Sequence, residues 1–280
     1  MKPLNADLHC HSTVSDGLLS PAEVVRRAHA NGVEMLALTD HDELGGVAEA
    51  RATADEVGMQ FLDGVEVSIS WGDDQTVHIV ALGVDPLNPA LCEGLKQVRS
   101  GRDARAGRMA AELDKVGIHN AYDGALKYVG NPALISRAHF ARYIVECGHA
   151  RDTKSVFDHW LAKGKPGYVE HSWASLSDAL GWIVGAGGTA VIAHPGRYRL
   201  TKIERHALFC AFKELGGEGI EVMSGSPVPD EVREFSHIAR EFGFLASRGS
   251  DFHGPGESWI DLGKVPDLPP DLTPVWTRFI

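Results

Sequence analysis

Short apolar runs alternate along the chain with stretches in which apolar residues recur every three to four positions, the pattern of strands followed by helices around a parallel sheet. The first unit is the clearest. After the short strand candidate in ADLHCHSTVSDGLLS (6–20), LSPAEVVRRAHANG places Ser20 at an N-cap, Pro21 at the first helical position and Glu23 three residues past the cap. Asn31-Gly32 follows as a stop, which predicts a helix of about three turns. VEMLALTDHD reads as a buried strand, ELGGVAEARATADEVG as a helix, and MQFLDGVEVSIS and TVHIVALGVD as further strands. Residues 90 to 170 turn helical. The strand and helix alternation resumes with SLSDALGWIVGAGGTAVIAHPGRY and continues through ERHALFCAFKELGG, GIEVMS, PDEVREFSHIAREFG and FLASRGSDFHG. The Pro-rich stretch after residue 264 reads as irregular. The expectation is one α/β barrel-like domain (1–90 and 171–280) carrying a helical insertion (91–170) that caps an active site at the strand C-terminal ends.

Composition sharpens this reading. A chain of 280 residues with 44% hydrophobic content can bury one large core. No run of about 18 apolar residues is present to span a membrane, and MKPLNADLHCHS lacks a secretory profile, so a cytoplasmic location is expected. Cys10, Cys92, Cys147 and Cys210 form no CxxC pair and read as reduced, mostly buried thiols. The net charge of −11 argues against double-stranded DNA as a partner, and no obligate protein partner is evident. Residues 96 to 170 depart from this balance, with 13 Lys and Arg against 8 Asp and Glu, a local +5 that leaves −16 elsewhere. Such a segment either faces an anionic ligand or presents a solvated basic face.

The candidate chemistry lies at the strand ends: His9 and His11 in HxH, Asp16, His41 in TDHD, Glu66 in GVEVS, His78 in TVHIV, His194 in AHPG, and Asp251 with His253 in SDFH. In extended backbone, residues i and i+2 point the same way, so His9 with His11, and Asp251 with His253, can each converge on one point. Six imidazoles and three carboxylates form a mixed N/O donor set that suits Zn, Mn or Fe better than Ca or Mg. Nine donors exceed one ion's needs. Two or three ions sharing carboxylates fit better, an arrangement suited to phosphate ester hydrolysis. Asp40 and Asp42 flank His41 and either fix an imidazole tautomer or are simply solvated.

The ordered series DLHCHSTVSDG, ALTDHD, GVEVS, VHIVALG, AHPGR and GSDFHG resembles the PHP (polymerase and histidinol phosphatase) metalloesterase family over nearly the whole chain. The resemblance implies a distorted (βα)7 TIM-like barrel and a centre of two to three divalent ions, Mn2+ first, with Fe2+ and Zn2+ as alternatives. It implies one ion on His9, His11, Glu66 and Asp251, a second on Glu66, His78 and His194, and a third on Asp16, His41 and His253. Asp16, His194 and His253 are candidate proton donors to the leaving oxygen.

ISRAHFA in the insertion resembles the subgroup that removes the 3′-phosphate of nucleoside 3′,5′-bisphosphates and trims short RNA from its 5′ end. A nucleotide or short RNA is therefore the expected substrate. Arg137 and Arg197 are candidate phosphate ligands because a guanidinium grips phosphate in two-pronged fashion. Among Arg99, Arg102, Arg105 and Arg108, the first two are the candidates for a remote phosphate, and at least two of the four are expected to be solvated. Three alternatives stand beside this reading: a histidinol-phosphate phosphatase, an amidohydrolase-like activity on C–N bonds, and a catalytically silent metal-binding module.

Overall fold

The computed structural model describes residues 4–72 and 75–280. Seven strands form one sheet in chain order: β1 (Ala6–Asp7), β2 (Met35–Leu38), β3 (Gln60–Trp71), β4 (Gln75–Leu82), β5 (Thr189–Ile192), β6 (Gly219–Ser224) and β7 (Leu245–Gly249). The two edges meet. Leu8 N–H donates to the Arg248 carbonyl at 3.1 Å, Asp251 N–H to the His9 carbonyl and His11 N–H to the Phe252 carbonyl, which closes the sheet into a barrel. The helix α1 (Pro21–Ala30) follows β1 and α2 (Val47–Val57) follows β2. Ser20 and Glu23 make the reciprocal capping box expected for α1, and Asn31 is its C-cap.

One strand departs from the parallel pattern. β4 runs antiparallel to both β3 and β5, because so short a connection between Trp71 and Gln75 cannot carry the crossover that a parallel pair needs. The long connection falls between β4 and β5. It holds α3 (Pro89–Ser100), α4 (Arg102–Asp114), α5 (Ala121–Leu126), α6 (Arg137–Glu146), α7 (Thr153–Val156) and α8 (Leu176–Gly185). A separate apolar core, from Ala106 to Leu161, gathers Met109, Leu113, Phe140 and Ile144. Leu91 and Leu95 of α3, by contrast, pack with α8 into the barrel's outer core. The helices α9 (Lys202–Glu214) and α10 (Pro229–Phe242) complete the outer layer.

Strand alternation sorts the barrel's residues. Ala6, Leu8, Met35, Ala37, Val80, Leu82, Val191 and Ala193 meet inside, closed by Val275 and Trp276 from the C-terminal segment, while Leu36 and Leu38 face α1 and α2. The segment after residue 264 is irregular apart from one short turn at Val275–Arg278. All four cysteines are free; Cys10 is buried, but Cys92 and Cys147 are exposed and Cys210 is half-buried, so the expectation of mostly buried thiols fails. Among the described residues no helix is long and apolar enough to cross a membrane.

Arg248 ties both ends of the chain to the barrel. Its buried guanidinium donates to the carbonyls of Leu4, Ala6 and Pro266, to Asn5 Oδ1 at 2.6 Å and to Asp267 Oδ1 at 2.6 Å. Arg248→Met leaves these acceptors without their donor and should cost about 3 kcal/mol. Urea denaturation checks this, and an unchanged midpoint would mean that apolar contacts alone dock the two ends.

Candidate metal centre

Alternation past the strand ends builds the floor of the site. Cys10 and Phe252 pair as a bridge between the extensions of β1 and β7 and turn outward into the core beneath α1 and α2. Their neighbours His9, His11, Asp251 and His253 therefore turn inward. Gly249 permits the close approach of these chains, since a Cβ there would lie 2.3 Å from that of His9. His41 follows β2, Glu66 lies in β3 and His194 follows β5. His78 sits near the start of β4, opposite Ser68. Only the reversed direction of that strand brings it to the same end of the barrel.

Glu66, fully buried, is the hub. Its Oε1 lies 3.0 Å from His78 Nδ1 and 2.9 Å from His194 Nε2. Its Oε2 lies 3.0 Å from His41 Nδ1 and 3.3 Å from the Nε2 atoms of both His9 and His11. Asp251 Oδ1 stands 3.2 Å from His11 Nε2 and 3.4 Å from His9 Nε2. Asp16 Oδ1 stands 3.5 Å from His253 Nε2. All nine donors singled out in the sequence thus converge, in overlapping groups of His11, Asp16, His41 and His253; His9, His11 and Asp251; His9, Glu66 and His194; and His41, Glu66 and His78.

This set fits divalent cations. The Nε2 atoms of His9 and His11 face one another at 3.2 Å, and the buried Nδ1 atoms of His11 and His41 and Oε2 of Glu66 have no hydrogen bond. Converging lone pairs left without partners are what a cation satisfies. The electrostatics agree. Burial opposes charge on Glu66, Asp251 and Asp16, yet the surrounding imidazoles, with Arg197 for Asp251, hold all three below the usual carboxylate range. Burial also opposes charge on His9 and His11, but Glu221, Glu66 and Asp251 hold His9 well above its ordinary value, and Asp251 and Glu66 bring His11 to about 10. For His78 burial prevails, and it falls to about 4.

Strained backbone marks the same end of the barrel. Asp42, His194 and Asp251 have φ of 52°, 28° and 50°, a region that non-glycine residues enter at a cost of about 1–3 kcal/mol. Buried carboxylates hold these turns. Glu221, 1% exposed, accepts from His9 Nδ1 at 2.7 Å and from the His194 backbone N–H at 2.6 Å. It thereby fixes the His9 tautomer with Nε2 toward the cluster. Glu221 lies outside the motifs that single out the nine donors, and the signal for it in the sequence is a charged residue between Ile220 and Val222 in GIEVMS. Asp7 accepts from the N–H groups of Ser250 and Gly263.

Asp40 and Asp42 touch no imidazole and are not solvated, so neither expected role holds. Asp40 accepts from Ser12 N–H, Ser12 Oγ and Ser15 Oγ and shapes the loop after HxH. Asp42 accepts from Ser68 N–H and Oγ and pairs with Arg102.

A cleft of about 730 Å³ rises from the cluster. Arg102, Arg105, Arg137 and Arg197 line it and Arg99 does not; Arg99 turns instead to Glu43 and to the Asp42 carbonyl. Arg105, not singled out beforehand, takes its place because it lies one turn beyond Arg102. Burial and the like charges of Arg137 and Arg102 push Arg105 down to about 9. Arg137 lies over the Phe157 ring, and Arg197 pairs with Asp251 while its side chain stays 54% exposed. The insertion is fastened to the cluster itself: Ser136 Oγ donates to Asp16 Oδ2 at 3.1 Å, and Arg142 donates to the Asp16 carbonyl and to Glu257.

A closed seven-stranded α/β barrel with this donor cluster at its open end defines a metal-dependent hydrolase class, and the chain belongs to the PHP domain family, whose model matches residues 7–168. It is 54% identical to a 3′,5′-nucleoside bisphosphate phosphatase of Chromobacterium violaceum, over 97% of this chain and 95% of that one. It is 42% identical to a 5′-3′ exoribonuclease of Haemophilus influenzae, over 98% of each chain. A solved structure described as an amidohydrolase from Chromobacterium violaceum, with bound sulfate and no metal, superposes with a TM-score of 0.95 at 54% identity, covering 98% of this chain and 95% of that one. A putative metal-dependent phosphoesterase of Bifidobacterium adolescentis gives 0.81 at 29% identity, covering 98% and 93%.

Two outcomes follow for this cluster. Glu221→Gln cannot accept from both His9 and His194, and should weaken Mn2+ binding by roughly 10- to 100-fold, read by calorimetric titration. The carboxylates around His9 and His11 raise both imidazoles above their ordinary range when no cation is bound, so binding has to displace protons and Mn2+ affinity should rise at least about tenfold from pH 6 to pH 8. Affinity independent of pH would mean that those imidazoles take no part in binding.

Proposed function

We propose that the chain is a metal-dependent phosphoesterase that removes the 3′-phosphate of nucleoside 3′,5′-bisphosphates, leaving a nucleoside 5′-monophosphate and phosphate, and that it trims short 5′-phosphorylated RNA from the 5′ end. One observation carries this reading: a single cleft joins the nine-donor cluster to a wall of three guanidinium groups, Arg102, Arg105 and Arg137. A ligand with two phosphates satisfies both ends.

In this reading His9, His11 and Asp251 would hold one ion, His78 and His194 a second, and Asp16, His41 and His253 a third, with Glu66 placed to serve the first two; Mn2+ is the expected metal. Such ions supply a hydroxide nucleophile at neutral pH and neutralise charge on the phosphoryl oxygens. The chain's own residues do the rest. Arg137 and Arg105, which have no carboxylate partner among the described residues, take the 5′-phosphate, and Arg102 adds its charge beside them. Arg197 faces the 3′-phosphate from the opposite flank. Asp16, His194 and His253 line the floor of the cleft beside the leaving 3′-oxygen, and whichever of them an ion leaves uncoordinated is placed to give that oxygen a proton.

A histidinol phosphate substrate would need a carboxylate for its amine. Outside the cluster the cleft offers only Asp158 and Glu257 among the described residues, and these are paired with Lys154 and Arg142. A C–N bond hydrolase has no use for the arginine wall.

Phosphate release from adenosine 3′,5′-bisphosphate, measured beside 3′-AMP, 5′-AMP and histidinol phosphate, tests the reading; the bisphosphate should be preferred and a chelator should abolish turnover. Arg137→Ala should lower kcat/KM for the bisphosphate roughly 10- to 100-fold while leaving a generic aryl phosphate nearly unchanged. Equal losses on both would place Arg137 in the catalytic step or in folding.

A further inference from the structure

A second cavity of about 390 Å³ opens off the main cleft. The two share His194, Arg197, Ser226 and Trp259 and then diverge. The main cleft runs beneath the insertion, past Arg105, Arg137 and Phe157. Among the described residues the second is walled by barrel residues alone, all between His194 and Trp259, and no insertion residue reaches it. The fork therefore lies at the donor cluster, beside His194 and the Arg197 that pairs with Asp251.

We propose that the second cavity holds the nucleoside on the 3′ side of the scissile phosphate when the substrate is single-stranded RNA, an inference that rests on the phosphoesterase reading above. In that reading the 5′ nucleotide lies under the insertion, with its 3′-phosphorus at the cluster. Any group esterified to that phosphorus has to leave in the other direction, and the second cavity opens there. Its volume falls within the range of small-ligand pockets, roughly 300–1,000 Å³.

The lining suits a nucleoside better than another phosphate. Trp259, 82% exposed at the fork, makes no hydrogen bond or ring contact with the described residues and offers its indole face for base stacking. Pro195, Pro227 and Val228 supply apolar surface. Glu231 also has no partner among the described residues. It lies so close over Gly196 that a Cβ there would come within 2.7 Å of its Oε1. An unpaired carboxylate repels a phosphate and accepts from ribose hydroxyls or base amino groups. The buried Oγ of Ser224 is likewise without a hydrogen bond.

One bond cleavage then serves both substrates. Water adds to phosphorus and the 3′-O–P bond breaks; the 3′-oxygen takes a proton and leaves on the 5′ nucleotide. With the bisphosphate the phosphorus departs as inorganic phosphate, and with RNA it stays on the 5′-oxygen of the shortened strand.

The test compares adenosine 3′,5′-bisphosphate with a 5′-phosphorylated triadenylate on the Mn2+-loaded protein, its Trp259→Ala variant and a Val228→Asp variant that puts charge in the second cavity alone. Both variants should lower kcat/KM for the trinucleotide roughly 10- to 100-fold, and Val228→Asp, which lies outside the main cleft, should leave bisphosphate turnover within about twofold. Equal losses on both substrates, or no loss on either, would overturn the proposal. Bisphosphate turnover without any trinucleotide cleavage by the parent protein would overturn it while leaving the phosphatase reading intact; failure on the bisphosphate would take down both.

Discussion

A fully buried carboxylate that touches five imidazoles is the constraint around which this molecule is built. Glu66 cannot stay ionised in the barrel's interior without compensating positive charge, because desolvation disfavours the charged form. The compensating charge comes from His9 and His11 beyond β1 and from His41 beyond β2, while His78 of β4 and His194 beyond β5 add polar contacts to Oε1. No local segment could supply it. The sheet has to close, β4 has to run backwards, and the turns after β2, β5 and β7 have to adopt left-handed backbone at Asp42, His194 and Asp251. The strain is localised where donors must point inward, and buried acceptors hold the strained turns in place.

Those acceptors form a layer of their own. Asp7, Asp40, Asp42 and Glu221 are all buried, and each is used mainly on backbone N–H or hydroxyl donors of loops that carry cluster residues. Glu221 joins His9 to the His194 turn, so it links two of the ion positions through one side chain. Asp7 joins the β7 extension to the loop at Gly263. Loops are ordinarily mobile, and here buried carboxylates tie them down, Glu221 holding the His9 ring and Asp42 pairing with Arg102 besides.

How much of this the sequence disclosed follows from the range of the interactions involved. The α1 capping box spans Ser20 to Glu23 and was legible, as was the pairing of His9 with His11 and of Asp251 with His253, because two-residue alternation fixes a face without knowledge of the fold. The direction of β4 was not extracted, although the short connection before Gln75 implies it. Asp40 and Asp42 were misassigned because their partners, Ser12, Ser15, Ser68 and Arg102, lie 25 to 60 residues away. The arginines show the same limit. Three-residue spacing from Arg99 to Arg108 distributes them around a helix, and which ones face the cleft depends on how the insertion docks.

That docking bears on substrate choice. Asp16 sits in the cluster, accepts from Ser136 at the start of α6, and offers its carbonyl to Arg142 of the same helix. Arg137 opens that helix. The position of Arg137 and the position of the cluster are therefore set by one short loop, and Arg102 is set on the same floor by Asp42, the neighbour of His41. A ligand whose two phosphates match this fixed separation gains both contacts without reorganising the protein, and a ligand with one phosphate gains only one. The preference for doubly phosphorylated substrates proposed above would then be a consequence of rigidity between the insertion and the barrel. Loosening the Arg142–Glu257 pair would erode it even though neither residue belongs to the donor cluster.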